Sequence, residues 1–503
     1  MYRRFFLIIL FFLFTFKSFS LNYITTAESI SWSGAYTSVA DGFESMLYNP
    51  AGLNFTPTRY GFNVFGSYGL RIYTNTVSSE TLFNMWRRYQ LNKDVSKEFI
   101  LGTMINAMPE SGFEAGMDLS AANLMTYFKF EKFSLGFSIL PKTSMYGYLS
   151  KGVFEIIYEL PYIPGISSIT TYGDLLNLAA MVLDSYNYSA RAAFLQYIDF
   201  NVVLSGRAKA LEKHIPVKGI YGGLTLHFYY PTFFMISNSK AEMGPTYSMS
   251  DGSLGPSVRY PSGYNFSLKG DFIFGGNGVA VAILKQMPSL SSYTDNILNY
   301  TGSAAFGLGF DAGFMIVFNK LVRLGVAATD VGFIVFPATA RVNVDVDVDV
   351  NVFEDNFGDF PNAVKNELFG ALEDAKGSRG DAYWYMPSTA FRCGVALTPL
   401  QKGMFTWATD ISLSDFNRLL LQGYPTFNFS TGIEFVPCYK WFSAPLRLAF
   451  SYNSQANAPS FSAGIGFYFG PVELEFGFKG LEMLISGWGS REACAGVDLK
   501  FEF

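Results

Sequence analysis

Asp345, Asp347 and Asp349 are the first residues in this chain whose type and spacing invite chemistry. Three carboxylates in a row suggest a calcium site. On a strand, however, alternate residues stand ~7 Å apart along one face, and calcium favours loop carbonyls that this run lacks. The intervening residues give the better reading. Val342, Val344, Val346, Val348, Val350 and Val352 alternate with Asn343, the three aspartates and Asn351. A helix would scatter those valines around its circumference, whereas a strand puts them on one face. Eleven residues with a ~45° tilt rise roughly 25 Å, the height of the apolar band of an outer-membrane barrel. The run is therefore expected to span, with its aspartates turned to a hydrated lumen.

Other reactive groups are scarce. The only histidines, His214 and His227, are not at zinc-ligand spacing with each other or with Cys, and both read as ordinary strand or loop residues. No Ser-His-Asp grouping, nucleophile motif or glycine-rich phosphate loop is present, and neither histidine suits an outer-membrane phospholipase. Cys393, Cys438 and Cys494 are too few and too scattered for a disulfide framework. A net charge of −5 with no Lys/Arg cluster excludes nucleic acid as a partner. The expectation is a protein that is not an enzyme and uses no cofactor or metal.

The composition points to a membrane. Hydrophobic residues make up 50% of the chain, aromatics 18% and charged residues 15%, against ~25% charged in ordinary soluble proteins. Residues 1–20 read as a signal peptide: Arg3 and Arg4 precede an apolar run from Phe5 to Phe16, and Ser18 and Ser20 fit a cut after Ser20. Beyond it no apolar run reaches the ~20 residues of a spanning helix. A closed β-barrel reconciles these facts, because only alternate residues face lipid.

Alternation marks strands near 60–68, 124–130, 133–140, 198–205, 217–230, 264–274 and 278–284. More follow near 389–398, 404–413, 426–436, 445–454, 460–469, 471–479 and 493–503. Helices are expected within 82–108, from Asp174 to Leu183, and from Asn362 to Ala375. In the last strand Val497, Leu499, Phe501 and Phe503 share one face, with Asp498, Lys500 and Glu502 on the other. A terminal Phe503 on such a strand resembles the signal that outer-membrane barrels show to their assembly machinery. Counting back from a periplasmic C-terminus puts 480–492, 455–459, 414–425 and 353–387 outside, and Gly470–Pro471, 437–444 and 399–402 inside. The same count places the tight turn at Asn319 and Lys320 on the outer side.

Residues 33–53, between the signal and the first strand, are rich in small residues and turn formers, and Pro50 stops a helix there. Gly34, Gly42 and Gly52 permit tight reversals. Asn49 before Pro50 favours an extended or turn conformation, and its amide is free to bond lumen-facing groups. Gly34, Ala35 and Tyr36, then Val39, Ala40 and Asp41, then Asn49, Pro50, Ala51, Gly52 and Leu53 resemble the N-terminal signature of FadL-like outer-membrane proteins. That family comprises long-chain fatty-acid transporters, aromatic hydrocarbon transporters and PorV-like proteins of a secretion system.

The resemblance implies an all-β transmembrane antiparallel barrel of about fourteen strands with some helical loops. It divides the chain into a hatch at 21–58, lying inside the lumen, and a barrel at 59–503. It further implies outer-membrane lipids, the barrel-assembly machinery and a hydrophobic ligand, such as a long-chain fatty acid, as partners. The hatch residues Gly34, Ala35, Asp41, Asn49, Pro50, Ala51 and Gly52 would then either gate transport or fix the plug. A PorV-like barrel that binds or shuttles exported proteins, and a general diffusion channel, are the other readings.

Overall fold

The computed structural model describes residues 26–503 outside 64–66, 77, 79, 82–83, 85–86, 89–96, 111, 121–123, 153, 155–185, 213, 215, 250–258, 277–304, 320, 338, 352–377, 400–403, 415–424, 438–441, 455, 457 and 485–490. The expected signal peptide, the strand at 278–284 and the helices at 174–183 and 362–375 lie outside the described residues.

The wall is a closed antiparallel barrel of 14 strands. We number them by their place in the wall, several being built from successive segments. β1 is Tyr60–Asn63 with Tyr68–Thr74, and β2 is Phe113–Ser120 with Leu124–Lys129. β3 is Phe133–Leu149, β4 Tyr186–Arg207 and β5 Gly219–Met249. β6 joins Arg259–Gly276 to Phe306–Val317, and β7 joins Val322–Phe336 to Thr339–Asn351. β8 comprises Ser378–Gly380, Tyr383–Tyr385 and Ala390–Leu397. β9 is Phe405–Ser414, β10 Thr426–Phe435, and β11 Phe442–Ser443 with Leu446–Asn453. β12 is Ala458–Phe469, β13 Val472–Lys479 and β14 Glu492–Glu502. β14 closes the ring on β1, pairing Gly61 with Glu502 and Gly69 with Gly496.

Each strand sorts its side chains by parity. Phe62, Tyr68, Leu226, Phe310, Trp407 and Val497 are exposed on the outside, while Asn63, Arg71, Asp311, Asp410 and Lys500 are buried on the inside. An apolar exterior around a polar interior is the inverse of a soluble fold and suits a bilayer. In β14 the division is the one the alternation foretells, with Asp498 and Lys500 buried and Val497 exposed.

Two expectations need correcting. The Val/Asp run is not a separate spanning strand: it continues β7 beyond Phe336 and pairs with the Arg259–Gly276 segment of β6, which in turn pairs with the far half of β5. These three segments extend the wall past the level where Phe306–Val317 completes it. Val342, Val344 and Val346 are accordingly buried rather than turned to lipid. Asp345 and Asp347 are exposed, on the face that the register links through Asn343, Asp271, Asn238 and Arg191 to the barrel interior. They therefore stand at the mouth, beyond the membrane-level lumen. The side chain of Asp349 lies outside the described residues.

The second correction follows from the first. With 322–351 occupying one wall position, the turn at Asn319 falls at the end that also holds Gly470–Pro471 and the junction of Tyr60 with Phe503. That short-turn end is the periplasmic one by the usual barrel rule.

Candidate functional site

The hatch has three short pieces: α1, Ala27–Ser31; α2, Gly42–Tyr48; and a 3-10 turn, Pro50–Asn54. Thr26 caps α1 through its side chain. α2 stops at Asn49, whose extended backbone suits a residue before proline, and Pro50 opens the next turn. Gly34 and Gly42 hold positive φ, 90° and 49°. Gly52 serves differently, since a Cβ there would strike the Ala40 carbonyl.

The wall is carved to receive this segment. A Cβ on Gly477 would collide with the Ala27 carbonyl, on Gly464 with Ser31, and on Gly432 with Trp32. Farther round, Gly325 makes room for Thr37, Gly313 and Gly223 for Asn49 and Pro50, and Gly136 for Met46. Strand glycines weaken a sheet unless another backbone must approach closely, and here one does. Trp32, Tyr36, Phe43, Met46, Leu47, Tyr48 and Leu53 pack with Tyr127, Leu140, Val203, Ala396 and Ala408 of the wall into one buried cluster. The hatch fills the barrel at its own level. This is a plugged membrane barrel.

Gly477→Val is expected to unseat α1 at a cost of about 1–3 kcal/mol for overpacking, read as faster hydrogen exchange at residues 27–31. Gly222→Ala, whose Cβ would meet only ordinary contacts, should leave that exchange unchanged.

Polar ties complete the seat. Asp410 of β9 accepts hydrogen bonds from the backbone N–H groups of Tyr36 (3.0 Å) and Thr37 (2.6 Å), and Ser33 Oγ meets Ser451 Oγ at 2.7 Å. Asn49 Nδ2 donates to the Thr37 carbonyl (2.9 Å) and to the wall carbonyl of Phe314 (3.2 Å), while its Oδ1 accepts from Ala51 N–H. Ala51 O accepts from Ser205 Oγ of β4. Arg447 and Lys500 reach the hatch carboxylates Glu28 and Glu44.

Above the hatch, toward the long-loop end, runs a buried belt with one ionisable side chain from each of nine neighbouring strand positions. Lys479 (β13) pairs with Glu492 (β14) at 2.8 Å. Arg71 (β1) lies 2.7 Å from Glu492 and 3.1 Å from Asp118 (β2). Lys142 (β3) lies 3.0 Å from Asp199 (β4) and 3.5 Å from Asp330 (β7). His227 (β5) stands between Asp199 (3.1 Å) and Asp311 (β6, 2.8 Å). A bulge after Ala328 brings Asp330, with φ 53°, to where its N–H donates to Asp311. Charges this deeply buried persist only when paired. Asp199, His227 and Asp330 come close enough to share a metal ion, as do Glu28, Glu44 and Glu475. The ammonium groups of Lys142 and Lys500 already answer those carboxylates.

Beyond the belt the inner wall turns apolar. Leu195, Tyr197, Tyr229, Phe234, Ile236, Ile334, Phe336 and Tyr385 form a buried cluster, with the rings of Phe234 and Phe336 4.0 Å apart and Tyr383 stacked on Phe234 at 5.0 Å. A narrow pocket opens among Ala193, Leu195, Phe234, Ile236, Phe336 and Tyr383.

The structure thus brings Gly34, Ala35, Asp41, Asn49, Pro50, Ala51 and Gly52 together within the barrel and leaves Asp345 and Asp347 at its mouth. Phe503 is exposed at the short-turn end, its carbonyl accepting from Arg59 and Tyr60 N–H and its ring stacked on Tyr60 at 5.0 Å. The sequence reading missed the belt, His227 included, and the apolar layer. Alternation alone could not reveal Phe234 and Ile236, which share even parity with the outward Leu224, Leu226 and Phe228 and are turned inward only by the register shift after Pro231.

Residues 246–478 match a family model described as a family of unknown function (DUF5723). No curated protein matches the sequence. Among solved structures, the Ralstonia pickettii toluene transporter TbuX is similar at 10% identity and a TM-score of 0.43, covering 95% of this chain and 98% of its own. The Pseudomonas putida toluene transporter TodX is similar at 11% and 0.41, covering 97% and 98%. A Pseudomonas aeruginosa FadL homologue is similar at 9% and 0.43, covering 97% and 100%.

Proposed function

We propose that this protein carries hydrophobic small molecules, long-chain fatty acids among them, across the outer membrane through a plugged barrel. The observation that carries the reading is the apolar layer around Phe234, Ile236, Phe336 and Tyr385, on the long-loop side of the buried ionic belt. A water-filled channel has no use for such a layer, whereas an apolar solute needs it. The hatch motif's resemblance to FadL-like proteins supports the same reading. A general diffusion channel is disfavoured by the close packing of the hatch against the wall glycines.

Purified protein in vesicles should bind a fluorescent long-chain amphiphile and speed its entry. Phe336→Asp should weaken binding at least tenfold, by setting a carboxylate in the apolar layer. No binding of any long-chain amphiphile or small hydrocarbon by the assembled barrel would sink the proposal. Capture of a specific exported protein by a barrel holding no such ligand would favour the PorV-like reading instead.

A further inference from the structure

We propose that the hatch seat is a proton-controlled latch, tightest in mildly acidic surroundings and loosened as the pH rises through neutral. The proposal concerns the seat itself and holds for any cargo.

Its basis is a mismatch of charge. Arg447 of β11 and Lys500 of β14 are the cations of one buried cluster at the hatch–wall boundary. Facing them are Glu28 and Glu44 of the hatch, Glu434 of β10, Glu475 of β13 and Asp498 of β14. Arg447 meets Glu434 at 2.6 Å, Glu475 at 2.9 Å and Glu28 at 3.0 Å. Lys500 contacts Glu44 and lies 3.0 Å from Glu475, 3.3 Å from Glu28 and 3.9 Å from Asp498. Tyr468 of β12 adds a hydroxyl, donated to Glu475. Five named carboxylates thus share two cations. Full ionisation would bury surplus negative charge that no cation offsets, which a low-dielectric interior disfavours, so the cluster retains protons.

A second hatch acid lies close by. Asp41 makes no capping bond at the start of α2, and its neighbour Gly42 sits so near Glu502 that a Cβ would press on that carboxylate. The charges acting on Asp41 are Glu28, Glu434 and Glu502, opposed by Arg323 of β7 and Lys129 of β2, with the Tyr36 and Tyr127 hydroxyls also nearby.

Burial, with Glu28 and Glu502 adding to it, pushes Asp41 up to about 7. Burial likewise holds Glu44 well above the usual carboxylate range despite the Lys500 ammonium, with Glu28, Glu475 and Asp498 adding to the rise. An acid raised on folding binds its proton more tightly in the seated state. Its contribution is whole below the unfolded value near 4 and fades as the pH climbs to the folded value. For Asp41 that window runs from 3.8 to about 7. Below it, protonation of the remaining carboxylates removes the Arg447 and Lys500 pairs as well.

The test is hydrogen exchange at residues 36–52 of the full protein in lipid nanodiscs from pH 5.5 to 8.5, corrected for intrinsic rates. The wild type should lose about tenfold in protection between pH 6 and 8.5, one proton's worth of linkage, while β9–β13 stay unchanged. Asp41→Asn with Glu44→Gln should hold its protection throughout. A flat wild-type profile, or an equal slope in the double variant, overturns the proposal. Should that variant fail to assemble, Ser33→Cys with Ser451→Cys, in a background free of the native cysteines, gives a second route. The oxidised clamp should keep the hatch protected at pH 8.5, and the same loss under the clamp would equally overturn it.

Discussion

Arg71→Met is expected to lower the stability of the barrel by about 3–5 kcal/mol, the usual effect of removing one partner from a buried ion pair. Arg71 lies on the first strand and joins Glu492 of the last to Asp118 of the second. It is the side-chain clasp at the point where the sheet closes on itself. Without the guanidinium, Glu492 keeps the Lys479 ammonium and Asp118 keeps the Ser144 hydroxyl. The midpoint of urea unfolding, followed by heat-modifiable mobility, should fall clearly. Arg71→Met combined with Asp118→Leu should recover part of the loss, because an apolar pair desolvates cheaply where a lone carboxylate does not. An unchanged midpoint in the single variant would show that the belt contributes nothing to closure.

Asn49→Leu should open the plug. One buried amide joins the Thr37 carbonyl, the Phe314 carbonyl of the wall and the Ala51 N–H. Leu keeps the volume and leaves all three groups without that partner, at about 1–3 kcal/mol for each group left unsatisfied. Two of these bonds hold the hatch's own shape and the third ties it to the wall, so their loss loosens both at once. Planar-bilayer recordings should show frequent conducting events in Asn49→Leu and few in the wild type. Pro50→Ala should behave like the wild type, since that ring mainly pre-sets the 3-10 turn. A variant that seals as tightly as the wild type would reduce Asn49 to a local turn former.

These residues also show what the sequence could and could not reveal. Parity along a strand needs no partner, so the outward Val497 and inward Asp498 and Lys500 were legible from the alternation of β14 alone. The hatch was legible because its small residues form a recognisable motif. The Val/Asp run was correctly read as a strand yet set at the wrong level, because alternation reports two chemically different faces and does not say that lipid covers the apolar one. The belt could not be foreseen. His227 and Asp311 are far apart in the chain and meet only through the register of β5 against β6. Until that register is known, His227 is one polar residue among many at an inward position.

The wall glycines bear on the order of assembly. α1 precedes every strand, but its seat is made by Gly464, Gly477 and Gly496, near the opposite end of the chain. Such a distant contact forms late, because the whole intervening chain must first be arranged. Until then the segment must wait without adding itself to an unfinished sheet edge. Its glycines, alanines and Pro50 make it a poor partner for any open strand. The composition that makes the hatch compact in the finished barrel also keeps it idle while the barrel is being built.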